Sequence, residues 1–428
     1  MLETLKNAWK IKELRNKILF TIFIIAIFRI GSVIPVPYID VAALKSATEN
    51  SANEFLNYLS ILTGGGLEYG AIFAMSVTPY INSSIIIQLL CVAIPALERL
   101  SKEGEEGQKK LATITRFTTI ALALIQGVAY FFYLNGSGYL TVTGKGATVF
   151  AAFVIVLAFT AGSALVMWLG EQIDVKGIGN GISILLFAGI VSRGPQMFVV
   201  LWENAVKLKK YVAVIAIILL FLVVIGFIVW MTNAERRIPV QYAKRVVGNK
   251  MYGGQNTHIP IKVNMAGVMP IIFASSILML PTMILGFMNT TQQASSFGKA
   301  LALFSTRGVF YAFIYFVLII AFAYFYATIQ FNPVEMSNNL RKNGGAVPGI
   351  RPGKPTSDFI SKILSRITLI GALFLSVIAI LPILVGSIGG MNISLGGTSI
   401  LIMVGVALDT VQNLESQMMM RHYKGFLD

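Results

Sequence analysis

The chain has 428 residues, of which 56% are hydrophobic and only 12% are charged, and its mean hydropathy is +0.75. Soluble domains carry about 25% charged residues, so this composition excludes a soluble globular protein and predicts a polytopic membrane protein. A single cysteine excludes an internal disulfide, and two histidines are too few for zinc chemistry or a histidine-based triad. We expect no cofactor, no metal site and no enzymatic activity.

The chain begins with a basic, amphipathic segment and continues with apolar runs. Residues 1–17 mix apolar side chains with Lys and Arg, which predicts a cytoplasmic amphipathic helix at the membrane surface. The next run lacks a small-residue cleavage site, so it reads as a retained first span. Ten apolar runs are long enough to be spans: 18–37, 71–91, 117–134, 148–169, 180–200, 211–231, 264–286, 308–330, 367–386 and 398–413. The predicted fold is therefore an all-α polytopic membrane protein with ten transmembrane helices.

The second run is unusual because it carries a proline at mid-length and follows three consecutive glycines. From Ala71 to Leu90 it is long enough to cross a membrane, and Pro79 would remove one backbone hydrogen bond near its middle. Such a break is tolerated where the freed groups face protein or a water-filled cavity. The pattern predicts a broken helix with Val77, Ile81, Ser84 and Gln88 along one face, lining either a cavity or an ordinary helix contact.

The distribution of basic residues predicts the topology. Of the 34 Lys and Arg residues, 25 lie on the side of the N-terminus and 8 on the opposite side, so both termini are expected in the cytoplasm. Two cytoplasmic loops, 233–262 and 332–366, are long for a compact bundle, which favours a functional role. Arg29 is the one basic residue that this count assigns to neither side, because it lies within the first predicted span. The sequence allows two interpretations of its side chain, which either extends to the outer interface or has a role inside the helix bundle.

The ten spans divide into two fives that resemble each other in sequence. Val77-x-Pro79-x-Ile81-x-x-Ser84 matches Val268-x-Pro270-x-Ile272-x-x-Ser275, and the run that starts at Gly181 matches the run that starts at Gly397. Repeats of five spans insert in opposite orientations, which predicts two inverted halves, 18–200 and 201–428, with the functional pathway at their interface.

The matched positions give six branched aliphatic residues on repeat-related faces. They are Val77, Ile81, Ile182, Leu186, Ile272 and Ile402. A transporter would be expected to present polar or charged ligands at this depth. A ring of aliphatic side chains is instead typical of a constriction that excludes ions by dewetting. Packing between the two halves is the alternative interpretation.

Several long motifs then resemble a known family. FRIGSVIPVP, TPYINSSIIIQLL, MWLGEQIDVKGIGNGISI, THIPIKVNMAGVMPIIFASSI and FNPVEMSNNLRKNGGAVPGIRPG together resemble the SecY family, the central subunit of the protein-conducting channel. The resemblance runs from Arg29 to Leu414. It implies two five-helix halves with a central pore ring, a movable plug and a lateral gate to lipid. The family pattern often has glycine where this chain has Ser76 and isoleucine where it has Val77.

The resemblance assigns roles by position. The pore ring corresponds to the six aliphatic residues above. The plug corresponds to a segment near 61–69 and includes Ile61, Thr63, Gly64, Gly65, Gly66 and Leu67. The lateral gate includes Asn82, Gln88, Leu280 and Ile284. Arg351, with Lys244 and Arg245 on the neighbouring loop, lies where the family docks the ribosome or the ATPase SecA.

The implied function is a protein-conducting channel in the bacterial inner membrane. Its expected partners are the small subunits SecE and SecG, SecA or the ribosome, polypeptides that bear signal sequences, and membrane lipid. No P-loop signature is present, so the energy must come from a partner. A secondary transporter is the main alternative, because transporters also have inverted repeats and broken helices.

Overall fold

The structure is a computed structural model, and helices make up most of the chain that it describes. It describes residues 8–49, 64–142, 144–195, 199, 202, 211–242, 245–247, 250–252, 256–265, 267–287, 295–296, 298, 301, 309–389 and 397–424.

Each of the ten predicted spans contains a helix. The longer helices, in chain order, are α1 (Lys12–Gly31), α2 (Val41–Glu49), α3 (Thr78–Ala93), α4 (Pro95–Lys102), α5 (Glu105–Gly136), α6 (Lys145–Lys176), α7 (Gly181–Val191), α8 (Tyr211–Asn233), α9 (Met269–Phe287), α10 (Val309–Gln330), α11 (Pro333–Lys342), α12 (Lys354–Gly389) and α13 (Gly397–Lys424).

Among the described residues, five stretches, in α5, α6, α8, α10 with α11, and α12, are long and apolar enough to cross a membrane. α3 and α4 form a sixth if this pair, bent by 104°, is one span. The all-α polytopic membrane fold is confirmed, and the count of ten spans stays a prediction.

Short strands occur in the two long loops that the sequence singled out. β1 (Glu235–Tyr242) and β4 (Asn256–Lys262) pair in antiparallel register, with Ile238 opposite Ile259, and β2 (Arg245–Val247) pairs with β3 (Lys250–Tyr252). β5 (Gly345–Ala346), from the second loop, pairs with the end of β1. The resulting order β4-β1-β5 joins the two loops in one small sheet. Helical periodicity did not predict these strands.

The chain forms two compact units. The first unit comprises Met1–Val214, Met279–Ser305 and Val406–Asp428, and the second comprises Ile215–Leu278 and Thr306–Gly405. These units do not follow the predicted halves, 18–200 and 201–428. The boundary at residue 200 therefore stays a prediction about the sequence repeat.

In the first unit, α5, α6 and α3 pack against one another and α1 lies against α6 and α7. A core between α5, α6 and the stretch before α3 includes Leu67, Met75, Tyr130, Leu134, Ile155 and Phe159. In the second unit, the buried side of β1, Ile238 and Val240, packs on α11 and α12 through Leu340, Ile360 and Leu364. The alternation of buried and exposed residues along β1 is the period of two that a strand with one covered face requires.

The N-terminal helix begins at Lys12 and continues to Gly31. The predicted boundary between a surface helix and the first span, at residue 17, therefore lies inside one continuous helix. Ala8 and Leu14 are buried with Ile178 and Leu414 of the same unit. The apolar side of this region thus packs on protein.

Pro79 does not break a helix, contrary to the sequence prediction. Residues 64–77 form turns, and α3 begins at Thr78 with Pro79 in its first turn. A proline is well accommodated there, because the N–H that it lacks would have no partner within the helix. The bend lies instead at Ile94, where α3 meets α4 at 104°.

The non-helical stretch 71–77 lies directly against α6. A Cβ atom built at Gly162 would come within 2.0 Å of the carbonyl oxygen of Ile72, so only glycine permits this approach. Gly146, on the same helix, has open space around it.

We expect Gly162→Ala to lower the melting temperature of the purified protein in detergent, because the backbone of residue 72 must shift; overpacking typically costs about 1–3 kcal/mol. The matched control is Gly146→Ala, which should be neutral or stabilising by about 0.5–1 kcal/mol. Equal melting temperatures for Gly162→Ala and the unmodified protein would contradict the close packing.

Candidate functional site

The first two members of the predicted ring lie at the start of α3. Val77 is 1% exposed, and Ile81 is half-buried one turn later, where its N–H donates to the Val77 carbonyl at 3.0 Å. The two residues therefore share one face of the helix. Further along this helix, the Gln88 side-chain amide donates to the Ser84 hydroxyl at 3.3 Å.

The next two members lie on α7, whose start is tightly constrained. The Asp174 carboxylate accepts from the Gly181 N–H at 2.7 Å, and the Asn180 side chain accepts from the Ser183 N–H at 3.0 Å. A Cβ at Gly181 would lie 2.0 Å from the Gly170 carbonyl oxygen, so α6 and α7 meet backbone to backbone. These caps and this contact position Ile182 and Leu186, which are 9% and 5% exposed.

The last two members belong to the second unit. Ile272 is half-buried in the first turn of α9, and its N–H donates to the Val268 carbonyl at 3.2 Å. Ile402, on α13, is 3% exposed. A Cβ at Gly405, three residues further on, would lie 3.0 Å from Val268, so the start of α9 lies against α13.

The local structure agrees with the sequence repeat. α3 begins directly after Val77 and α9 directly after Val268, and in both helices the residue four positions later donates to that carbonyl. α7 begins at Gly181 and α13 at Gly397, the two glycines that the alignment pairs. Closure of the six residues into one ring stays a prediction.

A polar cavity lies next to the α7 members of the ring. It has a volume of about 250 Å³ and is lined by Asn180, Ser183, Val406, Asp409, Thr410, Gln412 and Asn413. Hydroxyl, amide and carboxylate groups of this kind can donate and accept hydrogen bonds. Among the described residues, no group of three or more His, Cys, Asp or Glu side chains is placed to hold a metal ion.

Part of the predicted plug is held by several polar contacts. Ile61 and Thr63 lie outside the described residues, whereas Gly64, Gly65, Gly66 and Leu67 are buried. The Gly64 carbonyl accepts from the Arg29 guanidinium at 3.1 Å and from the Ser192 hydroxyl at 3.4 Å, and Arg29 also donates to Ser192 at 2.9 Å. Arg29 therefore acts inside the bundle, one of the two alternatives that the sequence left open.

An ion pair adds to these contacts. Glu68 pairs with Arg193, and both side chains are only 12% exposed. Sequence reasoning missed Glu68, Ser192 and Arg193. The available signal was an acidic residue beside a glycine run, with an arginine just beyond a short apolar helix.

The predicted lateral gate is only partly described. Asn82 and Gln88 are half-buried on α3. Leu280 and Ile284 belong to α9, and their side chains lie outside what the structure describes. The gate stays a prediction.

Arg351 is exposed at a well-defined turn. The Arg351 carbonyl accepts from the Thr356 hydroxyl at 2.9 Å, and the Gly353 carbonyl accepts from the Ser337 hydroxyl at 2.8 Å. Gly349 and Gly353 have φ values of 81° and 102°, which favour glycine. The fixed backbone therefore presents the Arg351 side chain to solvent. Lys244 and the Arg245 side chain lie outside the described residues.

Comparison with known proteins identifies the family. The SecY family model matches residues 71–411. The protein translocase subunit SecY of Streptomyces coelicolor is 43% identical over 438 residues, with full coverage of both chains. The chain belongs to the SecY family.

Solved structures have a similar fold. One, described as "The structure of a protein conducting channel", has a TM-score of 0.62 at 17% identity and covers 94% of this SecY-family chain and 92% of its own. Another, Sec61 in the canine ribosome-channel complex from the endoplasmic reticulum, has a TM-score of 0.59 at 16% identity, with the same coverage. At these identities the similarity concerns the fold alone.

Ser76, beside the ring residue Val77, is strained. Its φ of 50° lies in the left-handed region, and its buried hydroxyl has no hydrogen-bond partner among the described residues. Glycine, which the family resemblance suggested at this position, adopts this φ without steric cost.

We expect Ser76→Gly to raise the melting temperature, because it removes both a left-handed strain of about 1–2 kcal/mol and an unsatisfied hydroxyl. Ser76→Ala removes only the hydroxyl and keeps the strain, so it should stabilise less. Thermal unfolding of both variants in detergent tests this order, and the reverse order would contradict the assignment of strain.

Proposed function

We propose that this chain is the pore-forming subunit of a Sec translocon, which passes unfolded secretory polypeptides across the membrane and releases apolar segments laterally into lipid. The observation that carries the proposal is the 43% identity over the full length to a protein translocase subunit. The six aliphatic residues at repeat-related helix starts add a physical reason.

The mechanism follows from the chemistry of the proposed ring. A translocating chain has arbitrary sequence, so its narrowest passage must be unselective. Aliphatic side chains can move around any passing residue because they make no hydrogen bonds, and at rest they exclude ions by dewetting. An apolar segment in transit gains about 25 cal/mol per Å² by leaving water for lipid, which favours its exit through a lateral gate.

The alternative of a secondary transporter is not favoured. None of the six matched positions carries a polar or charged side chain that could bind a specific solute. The relatives are described as translocase subunits and the structural neighbours as channels.

Partners and location form part of the proposal. We infer that SecE and SecG accompany the chain, that SecA or the ribosome docks at its basic loops, and that both termini are cytoplasmic in a bacterial inner membrane. The excess of Lys and Arg on one side supports this topology. The sheet that joins the two loops supports a common docking surface, because β5, which the Arg351 turn follows, pairs with β1 beside β4.

The proposed ring predicts that ions leak through the resting channel when a polar side chain replaces one of its aliphatic side chains. We expect Ile81→Ser and Ile402→Ser to raise the resting ion conductance of the assembled complex in planar bilayers severalfold, because a hydroxyl favours wetting of the constriction. The control is Ile86→Ser, at an exposed position of the same helix α3, which should conduct like the unmodified protein. Background conductance in both ring variants would exclude the ring.

The proposed docking role predicts a charge effect at Arg351. We expect Arg351→Glu to reduce SecA-driven import into reconstituted vesicles about tenfold or more, because Arg pairs bidentately with carboxylate or phosphate. Lys354→Glu is the matched control: it is exposed and opens α12, where an acidic residue is favourable, so its effect should be smaller. Unchanged import and SecA affinity for Arg351→Glu would contradict the docking role.

A further inference from the structure

The segment Gly64–Gly70 is held to the first unit by a group of contacts around two arginines. Arg29, near the end of α1, donates to the carbonyl of Gly64, and Ser192, directly after α7, donates to the same oxygen. Arg193 pairs with Glu68, four residues further along the segment. Two helix ends therefore hold one segment at two points.

The backbone of the segment lies in close contact with α7. A Cβ built at Gly64 would lie 2.7 Å from the Gly189 Cα, so this part of the segment touches the backbone of α7 directly. Gly64 and Gly65 have φ values of 65° and 92°, which favour glycine. A Cβ at Gly65 would lie 3.7 Å from the Arg193 Nη2 atom, so the guanidinium packs along the segment that it binds.

This group of contacts brings together two positive charges, of Arg29 and Arg193, and one negative charge, of Glu68. Arg29 binds the Gly64 carbonyl, and the Arg193 guanidinium lies along the next residue, Gly65, so two positive charges approach the same part of the segment and repel. Glu68, on the segment, supplies the negative charge that attracts Arg193. Because both partners of the ion pair are only 12% exposed, water screens their attraction weakly.

From these contacts we propose that Glu68, paired with Arg193 beside Arg29, is an electrostatic latch that holds the segment Gly64–Gly70 in its docked position. The proposal rests on the proposed function, in which this segment belongs to the plug of the channel. Displacement of the segment then requires separation of the Glu68–Arg193 pair and loss of the Arg29 and Ser192 hydrogen bonds to Gly64.

The latch predicts that replacement of Glu68 and replacement of Arg193 release the segment to different extents. Glu68→Gln removes the attraction and leaves two guanidinium charges beside a neutral segment, and movement of the segment lets water reach those charges. Arg193→Gln removes the attraction and one of these charges together. The first variant should therefore release the segment more readily than the second, and the double variant Glu68→Gln/Arg193→Gln should be closer to the second.

The test is the resting ion conductance of the complex in planar bilayers, with assembly checked by size-exclusion chromatography. We expect about a tenfold rise for Glu68→Gln, a smaller rise for Arg193→Gln, and a double variant that conducts less than Glu68→Gln alone. The control is Glu105→Gln, which removes a carboxylate from an exposed pair with Lys109 and should leave the conductance unchanged.

General damage to the fold would make the double variant conduct at least as much as either single variant, and that result would overturn the latch. Conductance of Glu68→Gln at the unmodified level would also overturn it. SecA-driven import by the unmodified complex tests the proposed function separately. If the unmodified complex imports protein and Glu68→Gln conducts ions like the unmodified complex, the latch is rejected and the channel function stands. If the unmodified complex does not import protein, the channel function is rejected.

Discussion

The backbone hydrogen bonds of the non-helical stretch 64–77 are the constraint on which the first unit depends. Inside a membrane, backbone polar groups without partners are costly, so an irregular stretch must be enclosed by protein. Here the Ile72 and Phe73 N–H groups donate to the Ile34 and Gly31 carbonyls, and the Val36 N–H donates to Gly70. The helices surround a segment that could not face lipid.

This enclosure determines where the functional side chains lie. Gly162 allows α6 to approach the stretch, and the stretch then places Val77 and the start of α3. The contact of Gly170 with Gly181 places α7 in the same way. Because glycine has no Cβ, these close contacts set the positions of aliphatic residues that lie one to five residues further along the chain. A rigid frame of this kind suits a proposed ring that must close against ions yet admit a polypeptide.

The second unit contains the two long basic loops, and its small sheet orders part of both. The small sheet β4-β1-β5 and its packing on α11 and α12 fix two long loops that would otherwise lose much conformational entropy on binding a partner. The backbone around Arg351 is held by the Ser337 and Thr356 hydroxyls. An ordered turn therefore carries an exposed guanidinium, an arrangement that favours recognition of an acidic surface.

The sequence alone determined the class of protein and the regions of the chain that contain helices, and it predicted the pairing of the repeats, because each of these depends on local hydropathy and on side-chain spacing. The matched spacing of Val77 with Pro79 and of Val268 with Pro270 is an example, since each pair lies within three residues of sequence. The tertiary structure decided what depends on distant contacts. It showed that residues 71–77 are not helical, that Arg29 binds Gly64, that Glu68 meets Arg193, and that two loops share a sheet. Glu68 and Arg193 are 125 residues apart in the chain, so no periodicity could have paired them.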